Sequence, residues 1–354
     1  MNLTLLIMIN ETFIKKICNE RNIRQNTIQG YTSSLNKYSK FHNLSLEDLL
    51  NEALIEEKQR IPLKNRRIRK RLIDFRTHLI DSELSINTAK TYFAKVLVFY
   101  KHFEVELPKL PEVQLKKEYE SGYQDLPTKE DIAKALEISD SLMKAIILFM
   151  SSSGTAKAET LSLTVNDFIN ATKEYHKNGN TKEIMGQLCK KSNVIPTFYL
   201  KRIKTNKYYY TFCSFEATTY ILNYLKTRKN LKKEDKLFDI TDSSLTLKFR
   251  QINDSLNWGF KGKYRFFRSH TLRKFHASNI GLSSDYVDLL QGRGRSDIHE
   301  TYIKTNPKEL KKIYQKSMHK LLIFNKPSPE IHEDYTIIIN LYFSGHEYRQ
   351  INGI

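Results

Sequence analysis

The sequence predicts a mostly α-helical protein of two domains, with one small β-hairpin set in the second. Three observations predict it. Apolar residues recur at three- and four-residue spacing in most segments, the period of an amphipathic helix. One pair of Tyr-, Phe- and Thr-rich runs, Thr197–Ile203 and Tyr208–Phe212, reads instead as β-structure. Pro108, Pro111 and Pro127 punctuate a polar stretch with no sustained apolar period, which is how a domain boundary reads.

Bulk properties narrow the class. A chain of 354 residues that is 40% hydrophobic can bury two sizeable cores. Lys and Arg number 58 against 39 Asp and Glu, a net charge of +19. Such a surplus implies a polyanionic partner, nucleic acid ahead of an anionic membrane. No apolar run reaches the roughly 18 residues that a spanning helix needs. Met1 to Ile9 is apolar but lacks a basic flank and a small-residue cleavage site, so it makes a poor signal peptide. Cys18, Cys189 and Cys213 are odd in number and far apart, which gives neither a disulfide framework nor metal-ligand spacing. A reducing cytoplasm is the expected setting.

Residues 10–104 read as helices, with Gln25–His42 and Ile86–Phe103 the most periodic. Ser45-Leu46-Glu47-Asp48 resembles a capping box at the head of Leu46–Glu57. Arg60, Lys64, Arg66, Arg67, Arg69, Lys70 and Arg71 then crowd into twelve positions, with Ile61, Ile68 and Leu72 between them. Such a run is either a solvated helix face or a contact to a DNA backbone. Mutual repulsion of seven cations favours the backbone contact. Residues 1–110 hold 19 basic and 12 acidic side chains, so both halves of the chain are basic. Duplex DNA gripped between two domains is the expectation.

After the boundary, Thr128-Lys129-Glu130-Asp131 caps a new helix, and Ser141–Ser152 is apolar enough to be buried. Asn170–Asn193, rich in Asn, Lys and Gly, reads as a mobile surface insertion. Lys204-Thr205-Asn206-Lys207 joins the two β runs as a tight turn. Phe215–Arg228, Ser243–Ser255 and Asn306–Leu321 read as helices, and Phe260–Ser269 is basic and aromatic. An apolar run, Tyr335–Phe343, lies in the tail, where it could pack on its own domain or on another copy.

The chemistry concentrates between His270 and Lys304. His270 and Arg273, one helical turn apart, lie on nearly one face. Gln291-Gly292-Arg293 and then Tyr302 follow. Two Arg, a His and a Tyr can converge on one small anion, and the Arg fork matches phosphate oxygens bidentately. Residue types alone would also suit a solvated basic helix with a packed ring.

Order and spacing go further. His-x-x-Arg, a Gly-Arg pair about twenty residues on and a Tyr nine positions later resemble the catalytic segment of the tyrosine recombinases. The Gln-Gly-Arg form is most similar to integrases of archaeal viruses and plasmids. Gly154-Thr155-Ala156-Lys157-Ala158-Glu159 resembles the family's first box, a Gly turn leading into a helix with an Arg and an acid. It departs from that pattern, because Ala156 stands where the Arg would be, three residues before Glu159. Either Lys157 substitutes, which is the favoured reading, or the position is empty.

The resemblance implies a two-domain DNA clamp. A helical core-binding domain would span 1–107, a linker 108–127, a catalytic domain 128–325 and a tail 326–354. It implies that Tyr302 attacks the scissile phosphate and forms a 3′-phosphotyrosyl link. Arg273 and Arg293, helped by Lys157, would clamp its non-bridging oxygens, with Glu159 orienting the cation. Lys204 on the hairpin, or Lys207 as the alternative, would donate a proton to the 5′-oxygen, and His270 would shuttle a proton. No cofactor or metal is expected, since no phosphate-cradling Gly pattern and no carboxylate cluster is present. The expected partners are double-stranded DNA at specific attachment sites and further copies of the chain, four on two paired sites. A type IB topoisomerase-like cleaver, or a weakly active DNA-binding protein on the same fold, are the alternatives.

Overall fold

The computed structural model describes residues 3–113, 119–120, 122–293 and 306–324. Its chain divides into two compact units, one running to Glu120 and one from Ser121 on.

The first unit is helical. Helices α1 (Leu3–Glu20), α2 (Gln25–His42), α3 (Leu46–Lys58), α4 (Arg67–Asp81) and α5 (Ile86–His102) follow in order. Each turn has a local cause. Asn43 takes the left-handed conformation that ends α2. Ser45 and Asp48 then form the reciprocal capping box that starts α3. The apolar stripes meet in a core of Ile17, Leu35, Tyr38, Leu46, Phe75, Phe99 and Tyr100. Two phenols inside it satisfy each other, Tyr38 and Tyr100 lying 2.9 Å apart through their hydroxyls.

The second unit is built around one buried helix. Helices α6 (Lys129–Glu137) and α7 (Ser141–Ser153) come first, and every residue of α7 from Ala145 to Ser153 is buried. A helix apolar all round must be covered on every side. The serines at its end turn their hydroxyls back on helix carbonyls, as Ser152 does to Leu148 at 2.7 Å. Gly154 stops α7 with φ +65, a conformation glycine adopts without strain. Short helices α8 (Lys157–Ser162), α9 (Val165–Ala171) and α10 (Thr181–Cys189) follow. Strands β1 (Thr197–Lys201) and β2 (Tyr208–Phe212) pair antiparallel, with Leu200 opposite Tyr209. Then come α11 (Phe215–Lys226) and α12 (Asp242–Ser255). A two-residue ribbon of β3 (Phe260–Lys261) and β4 (Tyr264–Arg265) leads to α13 (Ser269–Asn279), α14 (Ser284–Leu290) and α15 (Pro307–Ser317).

The mostly helical class with a small hairpin is therefore as the sequence reads, and most helix bounds agree to within two residues. One segment differs. Inside Asn170–Asn193, Asn180 and Glu183 form a capping box, and α10 sends Ile184, Met185 and Leu188 into the core. Three apolar residues on one face outweigh the polar composition around them. The ribbon between α12 and α13 was also not read from the sequence, because two-residue strands carry no period.

Candidate active site

The site grows from the end of α7. Past Gly154 the chain enters α8, which brings Glu159 inward to 2% exposure. Across from it, β1 alternates: Phe198 and Leu200 face the core while Tyr199 and Lys201 face out. Arg202 continues the inward phase, and its side chain is 14% exposed. On the paired strand Tyr209 is buried beside it.

Arg273 completes the group from α13. Nη1 donates to the Gly154 carbonyl at 2.5 Å and Nη2 to the Gln291 carbonyl at 2.8 Å. Arg202 Nη1 donates to the same Gln291 oxygen at 3.2 Å. Burial holds the Arg273 pKa down to about 10, and the neighbouring charge of Arg202 acts in the same direction. It remains a cation at neutral pH.

Gln291 is the hub. Its amide nitrogen donates to the Arg273 carbonyl at 3.0 Å and sits 2.9 Å from His276 Nδ1. The carbonyl requires a donor, which fixes the amide orientation. His276 Nδ1 is then the acceptor, and its proton sits on Nε2. His276 is fully buried, and burial pushes its pKa down to about 3, so the ring is neutral. Gly154 and Gly292 permit this closeness. A Cβ on Gly154 would lie 2.5 Å from His276 Nδ1, and one on Gly292 would lie 2.5 Å from the Tyr209 ring.

Glu159 brings a carboxylate to the group. One oxygen accepts the Ile203 backbone N–H at 3.1 Å and lies 3.9 Å from Arg202 Nε, an ion-pair separation. Among the described residues the other oxygen has no hydrogen-bond partner, and neither do Arg202 Nε, the Tyr209 hydroxyl, His276 Nε2 or Gln291 Oε1. These five belong to one cluster, and buried polar atoms left unpaired are costly. Such a concentration marks a place where a polar ligand or water belongs.

The residues singled out in the sequence fall as follows. His270 is exposed near the head of α13; partial burial and the cations Arg268, Lys274, Arg273 and Arg293 lower its pKa. Arg293 follows Gly292 and reaches Asp288 at 3.4 Å. Lys204 and Lys207 lie exposed in the β1–β2 turn. Tyr302 lies outside the described residues, as does the tail from 325 on. Lys157 departs from the expectation. Its ammonium is held by Asp242 at 2.7 Å and by Thr246 at 3.3 Å, both on α12. The first helical position of α8 points it there, and the cation set beside Arg273 is Arg202. Sequence reasoning missed Arg202, although the two-residue period from Phe198 through Leu200 marks its face.

In the first unit, the basic run is not a row of loose charges. Arg66 is 8% exposed, donates to the Ile61 carbonyl at 2.8 Å and pairs with Glu57 and Glu106. Arg67 grips Glu56, Arg71 binds both oxygens of Glu52 at 2.7 and 2.6 Å, and Lys70 meets Asp74. The repulsion inferred from sequence is thus relieved by carboxylates on α3 and within α4. Arg60 and Lys64 are exposed, and Arg69 is half-buried.

Among the described residues no helix is long and apolar enough to cross a membrane. Nor does any group of three or more His, Cys, Asp or Glu side chains there stand ready for a metal ion.

No protein-family model matches the chain, and no curated protein does. Solved structures similar to it include the XerH site-specific recombinase bound to its difH substrate, at 18% identity and a TM-score of 0.49, over 84% of this chain and 82% of that one. A second is the Tn1549 transposon integrase in complex with transposon right end DNA, at 15% identity and a TM-score of 0.49, over 87% of this chain and 98% of that one. The XerA recombinase is a third, at 16% identity and a TM-score of 0.35, over 89% of this chain and 98% of that one.

Proposed function

We propose that this chain is a tyrosine recombinase that cuts and rejoins duplex DNA at specific sites. One observation carries the reading: Arg273 and Arg202 converge on a single carbonyl, beside His270 and Arg293, in a chain whose motif order ends on Tyr302. Cations gathered in a partly dry site are what a phosphate diester needs.

The chemistry balances without an outside reactant. The Tyr302 phenol oxygen attacks phosphorus, the bond from phosphorus to the 5′-oxygen breaks, and a 3′-phosphotyrosyl ester forms. A free phenol titrates near 10, so the surrounding cations lower the cost of its ionised form. Arg273 and Arg293 balance charge growing on the non-bridging oxygens. Lys204 donates to the departing 5′-oxygen, and His270, with its lowered pKa, takes or relays the phenol proton. Rejoining reverses these steps, the energy of the broken bond being kept in the ester.

Partner and origin follow from the same reading. The chain is a monomer alone and a tetramer on two paired attachment sites. Its first unit serves as a helical core-binding domain, joined through 108–127 to the catalytic domain, and it works in the cytoplasm. The Gln291-Gly292-Arg293 form supports a kinship with integrases of archaeal viruses and plasmids.

The test is covalent capture. The full chain is incubated with a pool of nicked random-sequence duplexes, from which the cut strand cannot religate. Denaturing separation and mass mapping then identify the modified residue. A DNA adduct on Tyr302 supports the proposal, and its absence overturns it. Relaxation of supercoiled DNA without exchange between two sites would support a type IB topoisomerase instead.

A further inference from the structure

We propose that Arg202 is a catalytic residue: with Arg273 it holds the scissile phosphate, supplying from the β1–β2 hairpin the cation that Ala156 lacks. The inference rests on the recombinase reading of the site.

Three observations carry it. First, Arg202 and Arg273 share one acceptor, so their terminal nitrogens lie within the sum of 3.2 and 2.8 Å. Two like charges that close repel in a partly buried site. Second, no carboxylate makes a hydrogen bond to either guanidinium among the described residues, and Glu159 approaches only Arg202, at 3.9 Å. An anion between the two cations removes the repulsion and uses the fork geometry of both. Third, Arg202 Nε and the hydroxyl of the buried Tyr209, on which the Arg202 charge acts, have no hydrogen-bond partner among the described residues.

The position explains the first box as well. Arg273 binds the Gly154 carbonyl, two residues before Ala156, so the space an arginine at 156 would serve adjoins the Arg273 fork. Glu159, which would orient that arginine, instead fixes the hairpin. It accepts the Ile203 N–H and attracts Arg202. The carboxylate sits in the first box, and the cation near it comes from another element. Lys157, bound to Asp242, leaves that place to Arg202.

The test uses the duplex that captures the wild-type adduct. Single-turnover cleavage is measured for Arg202→Ala and Arg202→Lys on the natural phosphate and on a methylphosphonate at the same position. Loss of one transition-state donor slows cleavage on the order of 10²-fold or more. Arg202→Ala should show that loss on the phosphate and a much smaller one on the methylphosphonate, which carries no anionic oxygen to balance. Arg202→Lys should recover part of the rate. An equal loss on both substrates assigns Arg202 a structural role and overturns the inference, as does a wild-type rate in Arg202→Ala. A wild-type chain that forms no adduct overturns the recombinase reading, a separate outcome. Thermal melting of each variant guards against misfolding, with Arg202→Lys as the form expected to stay folded.

Discussion

Gln291 and Arg273 bind each other twice: the Gln291 amide donates to the Arg273 carbonyl at 3.0 Å, and the Arg273 guanidinium returns a bond to the Gln291 carbonyl at 2.8 Å. The two residues are eighteen apart in sequence, yet each holds the other's backbone. The loop carrying Arg293 is thereby tied to the helix carrying His270.

Lys157→Ala should change single-turnover cleavage by less than about fivefold. Its partner Asp242 is exposed, and pairs of that kind contribute about 0.2–1 kcal/mol. The ammonium is engaged away from Arg273. A loss near 10²-fold would return Lys157 to the catalytic set. Ala156→Arg should not accelerate cleavage if Arg202 supplies the cation proposed above; an increase would mean that a cation is missing there.

Neutralising Arg60, Lys64 and Arg69 together should flatten the dependence of DNA affinity on salt. Each phosphate contact contributes about −0.9 to the slope of log K against log salt. Arg66 behaves differently. Buried and tied to Glu57, Glu106 and the Ile61 carbonyl, it stabilises the fold. Arg66→Ala removes the bond to the Ile61 carbonyl and the buried stem, while Glu57 and Glu106 stay in reach of solvent, and should cost roughly 1–3 kcal/mol of stability. Fluorescence anisotropy at several salt concentrations and urea unfolding separate the two effects. An unchanged slope in the triple variant would show that this face is merely solvated.

Acid should destabilise the second unit through His276. Its folded pKa is about 3, whereas an unfolded His titrates near 6.5. Below about pH 6.5 the unfolded chain therefore binds a proton that the folded one refuses. Stability falls as pH drops toward about 3, by at most about 1.4 kcal/mol per pH unit from this group, and is unaffected above about 7. Trp258, the single tryptophan, packs on Phe266 and Phe267 in this unit and reports its unfolding. His276→Asn should flatten the fall of the urea midpoint between pH 7 and pH 4. A slope identical to wild type would assign the acid sensitivity to other groups.

Tyr302→Phe should bind DNA as the parent does and form no adduct. Only the hydroxyl is removed, so the cations proposed to hold phosphate are intact. The chain has 20 tyrosines, and any adduct that persists in this variant must come from another of them.

The sequence by itself determined the helices, the hairpin and the motif order. Caps and apolar periods are local: Ser45 and Asp48, or Thr128 and Asp131, meet because three residues of backbone bring them together. His270 and Arg273 share a helix face for the same reason. Strand parity could also have shown Arg202 turning inward. The tertiary structure alone decided which cations meet. Arg202 is 71 residues from Arg273, and only the packing of the hairpin and α13 beside the end of α7 brings both to the Gln291 carbonyl. The charge of Lys157 is as legible in the sequence as that of Arg202. Asp242, 85 residues away, captures the one. A buried strand face delivers the other to the site, because a side chain's direction follows from the element that carries it and its partner from the fold that surrounds it.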